Sequence, residues 1–240
     1  MDFKKLTTAV AFATSLLVGG AASATALTPN LSFLPGTTLN TTGLSTFTTS
    51  GAQMAGTSVT AYFSDSTFQT IIWAAGVGTA GAATGTGWSL GFSGSTTFSP
   101  FWELLVTSIG SNKLVRLVID GQPGDTIFDT ILDPETTPGS ARGTAFSGVD
   151  GPAGLAIDAT YTNQVALNNV VYGDLFTVLD ISFRDVTGDT NGLANDDRLI
   201  FTADTDNTKL RGDINQVPEP ASLALLGLGL IGFSLMRRKV

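Results

Sequence analysis

The sequence predicts an all-β chain folded as a single β-sandwich, jelly-roll-like in plan, and three observations carry that prediction. Short runs alternate apolar and polar residues with period two, which a half-buried strand requires because successive side chains leave opposite faces. Gly and Pro punctuate these runs at short intervals, in "DGQPGD", "DPETTPGSARG" and "VDGPAG". No long amphipathic helical pattern occurs between residues 25 and 216. Many short strands between turn signals favour a sandwich over a barrel, and the lack of a fixed-period repeat argues against a propeller or solenoid.

Taken in order, a Thr/Ser/Gly-rich lead-in covers 25–57, where Leu31, Phe33, Leu39, Leu44 and Phe47 are spaced as in a meandering edge strand. The same composition also fits a flexible or O-glycosylated stalk. Val59, Ala61 and Phe63 then alternate with Thr60, Tyr62 and Ser64, and Trp88, Leu90 and Phe92 with Ser89, Gly91 and Ser93. Three later runs repeat the pattern: Leu155, Ile157, Ala159 and Tyr161; Leu179, Ile181 and Phe183; Leu199, Phe201 and Ala203. "KLVRLVID" from Lys113 is apolar on both faces except at Arg116, which predicts a central strand covered on both sides. "SPFWELLVTSIGSN" just before it reads as a strand, although Ser99-Pro100 also suits a helix start.

Composition bounds the chemistry. The 240 residues contain neither Cys nor His. That removes disulfides, Ser-His-Asp and Cys-His triads, His/Cys zinc sites, haem ligation and Fe–S clusters together. A domain of about 190 residues can bury enough surface to fold without cross-links. Residues 25–216 carry 18 acidic and 7 basic side chains, a net charge of −11. Such a body repels phosphate backbones and anionic headgroups, so nucleic acid is excluded as a partner in favour of divalent cations or neutral glycans.

Both termini carry targeting chemistry. Lys4 and Lys5 precede an apolar run over 6–18 and small residues at Ala22-Ser23-Ala24, the pattern of a secretory signal peptide over 1–24 with Ala22 and Ala24 as the signal peptidase site. At the other end Pro218-Glu219-Pro220 is followed by 16 uncharged residues, 221–236, and then by Arg237, Arg238 and Lys239. As a helix that stretch spans about 24 Å, just enough to cross a slightly thinned bilayer. Its cations stay cytoplasmic and leave the body outside. The prolines keep the preceding strip extended, where a membrane-embedded protease can engage it.

The stretch "VPEPASLALLGLGLIGFSLMRRKV", 217–240, resembles a PEP-CTERM sorting signal in its three-part order and terminal position. The resemblance implies recognition by an exosortase, a multi-spanning inner-membrane processing enzyme of Gram-negative bacteria that also make an extracellular polysaccharide. It further implies transient anchoring in the inner membrane, cleavage near the motif, and delivery of the body to the cell surface or matrix, where exopolysaccharide is a potential neighbour. It covers about 24 residues and carries no activity for the body.

Within the body, "DVTGDTNGLANDDRLIFTADTDN" concentrates oxygen ligands. Asp189, Asn191, Asn195 and Asp197 fall at odd-numbered positions counted from Asp189, as calcium ligands do in an EF-hand loop, but Leu193 and Ile200 occupy two ligand positions. The competing reading is a solvated turn. Trp73, Trp88, Trp102, Tyr62 and Tyr161 are candidates for a sugar-stacking platform, against which stands their fit to a core. Glu103 and Glu135 are the only glutamates of the body, and nothing in the sequence pairs either with an Asp for glycoside hydrolysis. The expectation is a non-enzymatic exported protein, structural or adhesive in the envelope or matrix. A calcium-assisted carbohydrate-binding module and a carboxylate-based polysaccharide hydrolase are the alternatives.

Overall fold

The computed structural model describes residues 27–46, 48–130, 140, 142–185 and 192–208. The expected signal peptide and the sorting segment lie outside them. Within them the chain is a β-sandwich of two sheets, with only two short 3-10 turns at Gly51–Met54 and Gln122–Gly124.

The larger sheet is organised around a long hairpin, β13 (Leu155–Leu167) and β14 (Val170–Asp185). The free edge of β13 carries two short parallel strands, β1 (Asn30–Leu34) and β2 (Leu39–Thr41). The Thr/Ser-rich lead-in is thus ordered as edge strands. On the other edge of β14, β10 (Leu114–Asp120) and β11 (Thr126–Asp129) lie end to end, pairing with successive stretches of the same strand.

The turn between β10 and β11 splits the sheet into two branches. Beyond β10 come β4 (Ser58–Phe63) and β5 (Phe68–Ile72); beyond β11 come β16 (Asp204–Thr208) and β3 (Leu44–Thr46). Glycine makes the split possible. A Cβ on Gly121 would strike the Thr126 carbonyl, and one on Gly124 would meet the backbone nitrogen of Thr57.

The smaller sheet runs β12 (Ser147–Asp150), β15 (Arg198–Thr202), β9 (Trp102–Val106), β8 (Trp88–Ser93), β7 (Ala80–Gly85) and β6 (Ala74–Ala75). The stretch "ELLV" is therefore strand and not the helix that Ser99-Pro100 could have started. Predicted inward residues from both sheets form one buried cluster, including Val59, Ala61, Phe63, Leu90, Phe92, Ile157, Ala159, Leu179, Ile181, Phe183, Leu199 and Phe201.

One expectation needs correction. The strand β10 is central, between β14 and β4, but only one of its faces is covered: Leu114, Leu117 and Ile119 are buried while Arg116 is exposed and Val118 half-buried. A register shift between Leu114 and Arg116 breaks the simple alternation, so the apolar Val115 does not mark a second buried face.

The chain changes sheets six times, and at the two tightest changes a tryptophan holds the corner. Only Trp73 separates β5 from β6, and only Ala203 separates β15 from β16. The Trp73 indole N–H donates to the Gly51 carbonyl at 2.7 Å, and that of Trp102 to the Ala203 carbonyl at 2.8 Å. The two indoles meet edge to face at 5.5 Å. Strands that switch sheets leave backbone groups without ladder partners, and here an indole donor satisfies a carbonyl that would otherwise be buried bare.

Candidate functional site

Of the four residues expected as calcium ligands, Asp189 and Asn191 lie outside the described residues, and the other two brace a turn. The Asn195 amide accepts from the Ile109 N–H at 2.8 Å and donates to the Gly110 carbonyl at 2.9 Å; Asp197 Oδ2 accepts from the Ala194 N–H at 2.7 Å. Leu193, which breaks the calcium-loop pattern, is fully buried and bridges to Leu114. Among the described residues, no three His, Cys, Asp or Glu side chains are placed to hold one metal ion.

The aromatic candidates divide. Trp73, Trp88, Trp102 and Tyr161 are at most 2% exposed and belong to the core. The phenol oxygen of Tyr161 accepts from the Phe146 N–H at 2.7 Å, and burial pushes its pKa up. Tyr62 alone reaches the outer face of the larger sheet. Its ring lies 5.8 Å from that of Phe68, which is 63% exposed, and 4.9 Å beneath the Arg116 guanidinium. Arg116 is in turn held by a bidentate pair to Asp180, at 2.8 and 2.6 Å. Aromatic ring, guanidinium and carboxylate therefore form one fixed strip on a solvent-facing sheet.

Glu103, the described glutamate, is ion-paired with Arg198 across β9 and β15. Glu135 lies outside the described residues. A third ion pair, Arg184–Asp158, is buttressed by Asn30, whose amide donates to Asp158 Oδ1 at 2.9 Å. The Arg184 hydrogen bond, with that from Asn30, holds the Asp158 carboxyl below the usual carboxylate range.

The most unusual group is one that sequence reasoning did not isolate. Asp129 on β11, Asp174 on β14, and Asp204 and Asp206 on β16 are all buried. Asp129 and Asp204 stand directly opposite in the β11–β16 ladder. The Ser140 hydroxyl donates to Asp129 Oδ2 at 2.6 Å, and Thr97 Oγ1 lies 2.8 Å from Asp204 Oδ1. Gly143 packs so tightly against Asp129 that a Cβ would overlap its carboxylate.

Asp206 has no exposed surface, and neither of its carboxylate oxygens has a hydrogen-bond partner. Burial pushes Asp204 up to about 7, with the neighbouring Asp129 charge adding to it. Burial and then the Asp204 charge push Asp206 up to about 8. The legible signal was an aspartate inside an apolar strand, as in "TIFDT" and "YGDLF", and acidic residues two apart in "ADTDNT". Alternation puts Asp204 on the polar face opposite Leu199, Phe201 and Ala203, yet it opens the next strand, β16, and is buried together with Asp206.

Comparison with known proteins finds its signal in the C-terminal segment, outside the described residues. Residues 216–239 match the PEP-CTERM protein-sorting motif, whereas no curated protein and no solved structure matches the chain. The match takes in Pro218, Glu219, Pro220, Arg237, Arg238 and Lys239, and it covers about a tenth of the sequence. The chain therefore carries a PEP-CTERM sorting motif, the mark of an exported protein that is transiently anchored in a membrane and processed by an exosortase.

Proposed function

We propose that the chain is a non-enzymatic protein of the cell surface or extracellular matrix of a Gram-negative bacterium, structural or adhesive in role. In this reading, signal peptidase cuts after Ala24, the 221–236 helix parks the body on the outer side of the inner membrane, and exosortase severs it near Pro218-Glu219-Pro220. The carrying observation is the match of residues 216–239 to the sorting motif, next to a body whose net charge of −11 and cross-link-free sandwich suit a soluble exported domain.

Mass spectrometry of the protein from its native cells tests this by reading both termini. The expected product starts at Thr25 and lacks the segment after Pro220, and Glu219→Ala leaves an uncut form in the membrane fraction. Material retaining Val240 in a soluble fraction sinks the proposal.

A second reading, carbohydrate binding, is favoured by the strip of Phe68, Tyr62, Arg116 and Asp180. A sugar face stacks on exposed aromatic rings while charged planar groups hydrogen-bond its hydroxyls. Retention of the protein on a glycan array, lost in Tyr62→Ala and Phe68→Ala, supports it; identical retention by the two variants removes it. Repeating the array with a chelator separates a calcium-assisted site from a calcium-free one.

A further inference from the structure

We propose that β16 is a proton-dependent latch, keeping its place between β11 and β3 only while Asp206 and Asp204 carry protons. Three structural observations lead there. First, the ladder register sets Asp204 directly opposite Asp129, and like charges in that position on paired strands repel. Second, Asp206 is fully buried with both carboxylate oxygens unpartnered. Ionised, it leaves a bare charge out of water; protonated, it leaves only a neutral polar group, at far lower cost.

Third, the hydrogen-bond count around Thr97 is one proton short. Its hydroxyl accepts from the Thr205 N–H at 2.8 Å and lies 2.8 Å from Asp204 Oδ1, 3.1 Å from the Thr205 carbonyl and 3.0 Å from Thr205 Oγ1, whose own proton points to Met54 Sδ. A hydroxyl has one proton to give, and an ionised Asp204 and a carbonyl both need one. A proton on Asp204, donated to Thr97 Oγ1, lets Thr97 donate to the carbonyl instead.

Among the described residues, the titratable groups that act on Asp206 are acids. Asp206 faces Asp129 from β11, Asp174 from β14 and Asp204 on its own strand. Asp125 sits in the turn before β11, and Tyr161 on β13 lies near Asp204. The strand β3 brings no titratable group. The Ser140 hydroxyl donates to Asp129 Oδ2 at 2.6 Å and lies close enough to Asp206 to offset part of the rise in its pKa. The ion pairs among the described residues lie elsewhere, at Arg116–Asp180, Arg184–Asp158 and Arg198–Glu103, and Arg142 is exposed.

The pKa directions agree with the geometry. Both aspartates are raised above their ordinary value near 3.8, so the folded chain holds more protons than the unfolded chain above about pH 4. Their contribution is therefore greatest in acid and is lost as pH rises through about 7 and about 8. Release of the latch frees the last described strand before the sorting motif, adding about 17 Å of extended chain to the tether. That consequence rests on the sorting reading, whereas the latch itself does not.

The test uses the full chain in detergent, with a calcium chelator throughout one arm and added calcium in the other. In chelator, the melting temperature of the wild type is expected to fall as pH is raised from about 6 to about 9. Asp206→Asn should reduce that slope at least about two-fold. Infrared spectroscopy of the wild type provides a readout independent of whether the variant folds: a protonated-carboxyl carbonyl band present near pH 6 and lost near pH 9. A flat wild-type profile, or no such band at pH 6, overturns the proposal. So does a calcium-dependent rise in wild-type melting temperature near pH 8.5 that Asp206→Asn abolishes, which would make the cluster a cation site.

Discussion

Trp102→Phe is the sharpest probe of how the sandwich is closed. Trp102 is 1% exposed, with neighbouring rings at 5.5 Å (Trp73), 5.6 Å (Phe92) and 5.7 Å (Phe201). Its indole N–H satisfies the Ala203 carbonyl at the bend where the chain leaves the smaller sheet for β16. Phenylalanine keeps an aromatic ring but removes the donor, and a buried acceptor left bare costs about 1–3 kcal/mol. The smaller ring also leaves a void, adding about 1 kcal/mol.

The expected loss is therefore about 2–4 kcal/mol, a large share of the ~5–15 kcal/mol that holds a domain folded. Guanidinium unfolding of the full chain in detergent reads it, with Trp73 and Trp88 left as fluorescent reporters. Phe68→Ala, at an exposed edge-strand position, is the control and should cost about 0.5 kcal/mol or less. If Trp102→Phe is as mild as the control, the corner bond does not hold the two sheets together and the reasoning fails.

Further expectations follow from other close contacts. Gly81→Ala should destabilise by about 2 kcal/mol or more, because the new methyl collides with the Gly51 carbonyl and the Trp73 indole nitrogen and breaks the bond between them; the same denaturation assay decides it. Gly143→Ala should loosen the Asp129 carboxylate, and hydrogen exchange at the paired residues of β11 and β16 should rise several-fold. Asp158 behaves oppositely to Asp204 and Asp206. Its lowered pKa means the Arg184 pair contributes above the ordinary carboxylate range and fades as pH falls, so Arg184→Leu should flatten the acid limb of a pH titration of stability. Replacing Arg237, Arg238 and Lys239 by serine should lower the amount of C-terminally processed protein recovered from native cells, which an immunoblot against the body measures.

The sequence by itself determined the all-β class, the inward set of most strands and the sorting motif. Alternation at Val59-Ala61-Phe63, Trp88-Leu90-Phe92 and Leu179-Ile181-Phe183 is local information, because the period of two is built into the strand backbone. The sorting signal is likewise local: a Pro-Glu-Pro motif, an apolar run and a basic end, contiguous in the chain. Only the tertiary structure decided that β10 and β11 share one edge of β14, that Trp73 and Trp102 hold corners, and that Asp129, Asp174, Asp204 and Asp206 are brought near one another from three strands. Burial of a polar residue depends on what packs over its strand from distant parts of the chain. Asp197 at a turn and Asp206 in a buried ladder look alike in sequence, and it is the pairing of β16 between β11 and β3 that makes one an ordinary brace and the other a buried acid.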